Sequence, residues 1–191
     1  MSASYQLRFD TGRLFLDLVA TVGGRLSGAP VERLDHPERL AEWLAGAGLV
    51  PAGQPVRVTA QWLAHFRELR DLLHRLAHAA VATGRYPEAD VQRLNRYAAV
   101  TPPQIALRAD GVIVPGPVRL TALLSVVARN AIEVLGGADV ARLRVCGGDT
   151  CDLIYVDDSR GGRRRWCSST ACGNRVRVQQ HRRQFSPPAA G

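Results

Sequence analysis

Lysine is absent from this 191-residue chain, and all 25 basic residues are arginine. With alanine and glycine abundant, that usage fits GC-rich coding in a bacterium. It also removes an inference, because arginine is then not a choice over lysine for bidentate phosphate or guanine contacts, although it makes them well. Equally missing is any run near the roughly 18 uninterrupted apolar residues of a membrane helix. The opening MSASYQLRFD lacks the charged-then-apolar order of a signal peptide, so the expected address is cytoplasmic. No Ser/His/Asp set, phosphate loop or nucleotide fingerprint occurs, and the chain reads as a non-enzyme. No internal repeat or low-complexity segment occurs either, apart from the short tail SPPAAG (186–191), expected to be disordered.

What remains is enough for a core, with 46% hydrophobic residues, and a formal charge of +8 that is unevenly placed. From Arg142 onward ten arginines face four aspartates, and glutamate does not occur after Glu133. That segment holds +6 of the total.

Along the chain, the alternating YQLRF reads as a strand or extended lead-in. A helix then repeats Leu14, Leu18 and Val22 at i, i+4, i+8. After a Gly/Pro-rich loop (23–30), Asp35-His-Pro-Glu38 has the order of a helix start with Asp35 as cap, and the helix should end at Gly46 or Gly48. The strongest helix spans about 55–83, its core stripe being Trp62, Phe66, Leu69, Leu73, Leu76 and Ala80. A further helix from Pro87 to about Tyr97 is followed by a β-hairpin around Asp110-Gly111 and an apolar helix over 118–135. The fold class expected is α+β: a mostly helical N-terminal domain (1–138) with a β-hairpin, then a small four-cysteine unit (139–185). The boundary falls where the charge changes.

All four cysteines lie within 27 residues as Cys146-x4-Cys151-x15-Cys167-x4-Cys172. In a reducing compartment four thiolates at this spacing fit a tetrahedral zinc, with bonds of about 2.3 Å. The alternatives are two disulfides or four buried thiols without metal. A redox switch, in which oxidation releases the metal, would be an added property of the zinc site. Gly147-Gly148 lets the backbone wrap the metal, and 153–156 reads as a strand. Residues 157–162 turn the chain, and 163–166 return it as the hairpin partner. Ser168 or Ser169 caps a helix that carries Cys172 and runs to about Phe185, the order of a treble-clef or ribbon-like finger. Four protein thiolates leave no open position for a catalytic water, so the zinc is structural.

Around the cysteines stand Arg163, Arg164, Arg165, Arg175, Arg177, Gln180, Arg182 and Arg183, the footprint of a nucleic-acid contact. On a helical projection Val178 aligns with Ala171 and Phe185 as a narrow apolar seam. The alternative reading is a solvated surface or a docking face for an acidic partner.

Cys172-Gly173-Asn174-Arg175, preceded by Arg164-Arg165-Trp166-Cys167, resembles the CGNR zinc-finger family, and LRFDTGRLFLDLVATVGGR resembles the opening of the ABATE domain that precedes it. One departure is Ala20, which stands where an Asn precedes Thr21 in that opening. The resemblance covers the chain and implies a stress-induced transcription regulator that binds DNA through the CGNR helix, with the four cysteines as zinc ligands. Asn174 is expected to bond a thiolate or a nearby carbonyl. The N-terminal domain is expected to sense a small-molecule effector or to dimerise.

Two other constellations stand out. His74 and His78, at i, i+4, could hold a metal but lack the Glu of HExxH and read as solvated or partly buried. Arg13 and Asp17 form a helical pair that could line a ligand pocket. Against the regulator stand a zinc-stabilised protein-interaction module and, least supported, an enzyme with its site in the N-terminal domain.

Overall fold

A computed structural model describes residues 5–51, 54 and 56–185, with backbone alone at 179, 180 and 182–185. The expected disordered tail at 186–191 lies outside the described residues. The lead-in YQLRF forms no strand. Helix α1 (Leu14–Val19) follows, its first turn capped from afar, because Asn130 Oδ1 accepts the Phe15 N–H at 3.1 Å. The helix stops at Val19, short of the expected Val22. That residue instead opens β1 (Val22–Gly23), which pairs antiparallel with β2 (Val31–Glu32).

Helix α2 (Pro37–Gly46) is flanked by His36, not Asp35. Asp35 is taken up elsewhere: its carboxylate accepts the Tyr5 hydroxyl at 2.6 and 2.7 Å and meets His36 Nδ1 at 2.6 Å. Helix α3 (Ala60–Ala82) starts at Thr59, whose hydroxyl accepts the Trp62 N–H at 3.4 Å. Its buried stripe holds Phe66, Leu69, Leu73 and Leu76 as expected, with Leu63, Leu72 and Ala77, while Trp62 and Ala80 are half-buried. Helix α4 (Glu88–Ala98), the hairpin β3 (Ile105–Leu107) and β4 (Ile113–Pro115), and helix α5 (Leu120–Leu135) complete the N-terminal part. The β3–β4 turn uses Gly111 at φ +83°, and all six strand residues are exposed.

Helix α3 is the hub, packed by α1, α2, α4 and α5. Phe15, Leu16, Trp43, Phe66, Leu73 and Leu123 are fully buried there, each worth about 1.5–3 kcal/mol of hydrophobic burial. This core does not end with α5. After a 3-10 turn (Ala138–Arg142), β5 (Leu143–Val145) pairs antiparallel with β6 (Ile154–Val156). Side chains alternate along a strand, so Leu143, Ile154 and Val156 enter the helical core. Tyr155 points to the other side, into a second cluster with Leu153, Ala20 and the four cysteines. The two short strands therefore belong to both interiors.

Among the described residues no helix is long and apolar enough to cross a membrane. Because Ile154 is fully buried in the helical core, Ile154→Ala should cost about 2–5 kcal/mol. The loss should appear in helix unfolding followed by far-UV circular dichroism as one cooperative transition. A separate finger transition that leaves helix unfolding unmoved would contradict the shared core.

Candidate metal centre and its basic surface

The chain reaches the metal centre in two passes. Cys146 leaves β5, and a tight turn in which Cys151 N–H donates to the Gly148 carbonyl at 2.9 Å brings the second sulfur back to it. The turn rests on close approach at Gly147. Its N–H donates to the Arg165 carbonyl at 2.9 Å, and an added Cβ would lie 3.2 Å from that oxygen. Cys167 arrives on the extended segment 163–166. Cys172 sits in a single π-helical turn (Ser169–Gly173), whose flanking Ser168 accepts the Ala171 N–H at 3.1 Å, and α6 (Asn174–Phe185) continues from it. The hairpin differs from expectation here. Segment 163–166 is not its second strand; β5 is, and the Cys146–Cys151 turn is its tip. Residues 143–145 lie in register with 154–156 and are anchored by Leu143 in the helical core, whereas 163–166 gives the Arg165 carbonyl to Gly147 and the Arg164 N–H to the Asp157 carboxylate.

All four cysteines are buried and free, and their sulfurs lie within 4.8 Å of one another, with Cys151–Cys167 at 3.9 Å and Cys167–Cys172 at 3.6 Å. A tetrahedron with bonds of about 2.3 Å has edges of about 3.8 Å, so the sulfurs are spaced for one zinc, whereas a disulfide needs about 2.05 Å. The ion would be enclosed by four thiolates and would hold the two passes together.

Hydrogen bonds and the Arg8 charge favour the thiolate at Cys146 and Cys167. Cys167 N–H donates to Cys146 Sγ at 3.3 Å, and Arg8 donates to Cys167 Sγ at 3.1 Å and to its carbonyl at 2.8 Å. Burial opposes the Arg8 charge, but the Cys167 thiolate and Asp10 outweigh it and raise its pKa. The Cys167 thiol is held below its usual value. Its contact with Cys146 raises it, those with Cys151 and Cys172 lower it, and the Arg8 charge adds to the lowering. Arg33 is 7% exposed; burial and then Arg8 lower its pKa, while Cys151 and Cys167 hold it charged. Two guanidiniums thus face a tetrathiolate that retains a double negative charge once Zn2+ is bound.

The segment between the sulfurs is set by Asp157, whose carboxylate accepts the Ser159 N–H and hydroxyl and the Arg164 N–H, shaping a turn with Gly161 and Gly162 at φ +88° and +62°. The hydroxyl bond from Ser159 is foremost in holding the Asp157 carboxyl below its usual range.

This closed four-sulfur centre, joined to a helical body, agrees with two family models: "ABATE: Putative stress-induced transcription regulator" matches residues 12–138 and "CGNR zinc finger" matches 142–184. The chain belongs to the ABATE family. Curated proteins give no match. In this ABATE protein the zinc is structural, and both families are of non-enzymatic kind.

The arginines of the expected nucleic-acid footprint divide. Arg164 stacks over the Tyr155 ring at 4.4 Å and donates to the Trp166 carbonyl at 2.9 Å and to that of Cys167. Arg177 turns back onto the Gly173 and Ser169 carbonyls, both at 3.2 Å. Arg175 touches the Thr150 hydroxyl at 3.2 Å. Arg163 and Arg165 are exposed, Arg165 lying 5.2 Å over Trp166. The side chains of Gln180, Arg182 and Arg183 lie outside the described residues. Asn174 is exposed and bonds neither thiolate nor carbonyl through its side chain among the described residues, because the first turn of α6 carries it outward. Of the expected seam, Val178 is half-exposed and Ala171 exposed, and the side chain of Phe185 lies outside the described residues.

Arg13 and Asp17 do not pair with each other. Arg13 precedes the helix in extended backbone and binds Asp139, with Asp158 at 3.9 Å. Asp17 accepts the Thr11 N–H at 3.1 Å and hydroxyl at 2.7 Å. No sequence signal announced the reach of Arg8 and Arg13 to residues more than a hundred positions away.

Arg8→Ala should lower stability by about 1–3 kcal/mol while the protein keeps its tetrathiolate zinc; denaturation and zinc analysis check both. Burial, only partly offset by the Thr11 bonds, pushes the Asp17 carboxyl from 3.8 up to about 6. The native state therefore holds its proton more tightly. This contribution is full below about pH 4, is lost as pH rises through 6, and persists above as a cost of an ionised buried group. Asp17→Asn keeps the acceptor, so the change it makes in melting temperature should be more favourable at pH 7.5 than at pH 4.5. An equal change at the two values would refute the linkage.

Proposed function

We propose that the chain is a DNA-binding transcription regulator of two functional parts: residues 1–138, which receive a signal, and residues 139–185, whose finger meets the phosphate backbone. Cys146, Cys151, Cys167 and Cys172 are its zinc ligands. The observation that carries the DNA contact is a groove of about 490 Å³ beside the finger, lined by Arg163, Arg164, Arg165, Trp166 and Ser168–Thr170. Its one acidic neighbour, Asp10, is neutralised by Arg8 at 2.9 Å. Arginine side chains and hydroxyls next to a helix start make a surface for phosphate. Arg163 and Arg165 are exposed along it, Arg165 over the Trp166 ring, whereas Arg164 supports the groove from within.

The receiving role is supported by a cavity of about 330 Å³ between α3, α4 and α5. Tyr97, Val100, Leu120 and Leu124 give it an apolar wall, and Arg96 stands beside Glu68, which pairs with Arg93 at 3.3 Å, a lining suited to a small, largely apolar effector with a polar group. This cavity, not the vicinity of Arg13 and Asp17, is the pocket we assign.

Titration of zinc-loaded protein with duplex DNA over a range of salt tests the reading. Log affinity should fall steeply with log salt. The double variant Arg163→Ala/Arg165→Ala should flatten the slope by roughly one to two and weaken binding alike across sequences. Absent or salt-independent binding, with recovery of protein partners only, would favour the interaction-module reading instead. For the ligands, Cys167→Ser should weaken and shift the thiolate-to-metal charge-transfer absorption of the cobalt-substituted centre; an unchanged spectrum would overturn the four-cysteine assignment.

A further inference from the structure

The knuckle that carries Cys151 continues directly into Asp152, which turns toward α3 and meets the two histidines singled out in the sequence. His74 Nε2 lies 2.9 Å from Asp152 Oδ2, and His78 Nε2 lies 3.8 Å from the same oxygen and 3.0 Å from the Asp152 carbonyl. The imidazole rings are 4.4 Å apart, tilted by 53°. One ligand atom from each residue falls within 4.8 Å of the others. All three residues are half-buried.

We propose that His74, His78 and Asp152 form a second divalent-cation site, separate from the four-sulfur centre, for Zn2+ or a similar ion that accepts imidazole and carboxylate. Histidines at i and i+4 lie on one face of α3, one turn apart, so both rings can address a single ion. Zinc bonds of about 2.0–2.1 Å to nitrogen and oxygen set ligand–ligand separations of about 3.4 Å, and the two observed nitrogen–carboxylate distances bracket that value. Two imidazoles and one carboxylate leave positions for water, so this site, unlike the tetrathiolate, is open.

Neighbouring charges set its strength. Arg25 is felt by both His78 and Asp152 and opposes a cation, while Asp71, 3.6 Å from the Arg25 guanidinium, counters it. One carboxylate and a nearby arginine make a site of moderate affinity that fills after the four cysteines. When filled, the ion replaces two hydrogen bonds with coordinate bonds and ties the central helix to the residue that follows Cys151. Metal supply would thereby bear on how firmly the finger is held to the helical body.

Native mass spectrometry of the full chain, loaded with one equivalent of zinc and then given a several-fold excess of Zn2+, should count two ions. His78→Ala and Asp152→Asn should each weaken the second ion by roughly tenfold or more and keep the first. Cys167→Ser should lose the first and keep the second. To avoid dependence on any variant, Co2+ added to the zinc-loaded unmutated protein should broaden the imidazole resonances of His74 and His78 and add visible absorption without thiolate charge transfer. A single ion in the unmutated protein, a second ion that persists unchanged in both variants, or cobalt that leaves the two imidazoles sharp would each overturn the site.

Discussion

Residues 154–156 place their side chains alternately in two interiors, and the rest of the architecture depends on that alternation. Ile154 and Val156 complete the core around α3, while Tyr155 closes the cluster that contains the four sulfurs. A finger of this size cannot sustain itself by apolar burial and relies on its metal. Here it also rests on a hydrophobic foundation in the helical body, so the zinc has less to hold. What it must secure is the return segment and α6, against the hairpin tip. The N-terminal segment adds to this attachment from outside, since the Val156 N–H donates to the Thr11 carbonyl at 2.9 Å.

With arginine as the only strong base, one side chain serves two purposes. Arg70, 4% exposed, binds Glu32 at 2.7 Å and the Thr21 hydroxyl at 3.3 Å, and Arg67 donates to the Leu34 carbonyl at 2.8 Å, fastening the β1–β2 region to α3. Arg8 and Arg164 do the same around the finger. The planar fork of five donors suits it to bridging carbonyls and carboxylates at once, which an ammonium does less well. The high net charge therefore overstates the surface free for a polyanion, because part of it is engaged inside the molecule.

The helices and the metal cluster were legible in the sequence because each has a local signature. A helical period marks α3, a long apolar stretch marks α5, and paired spacing marks the cysteines. The β3–β4 turn announced itself through Asp110-Gly111. The rest depended on distant partners. Asp35 reads as a cap until Tyr5 claims its carboxylate, and Arg13 reads as the mate of Asp17 until Asp139 is placed beside it. The hairpin partner of β6 is ambiguous in sequence because 143–145 and 163–166 are each joined to it by a short turn, and only the docking of Leu143 into the helical core separates them. His74 and His78 could be seen as a pair, but their third member lies 74 residues beyond His78 and carries no motif.

The bond from Arg8 to Cys167 joins residues 159 positions apart. Closing a loop of nearly the whole chain costs entropy that no local contact offsets, so it forms late. On a ribosome α1 to α5 can emerge while the finger is still in the exit tunnel, but the core closes only when Ile154 and Val156 arrive, and the thiolate receives its guanidinium only after residue 167 has emerged. The last coordinating sulfur then follows within five residues. A chain released before residue 167 would therefore carry Cys146 and Cys151 without the two sulfurs that close the centre around them.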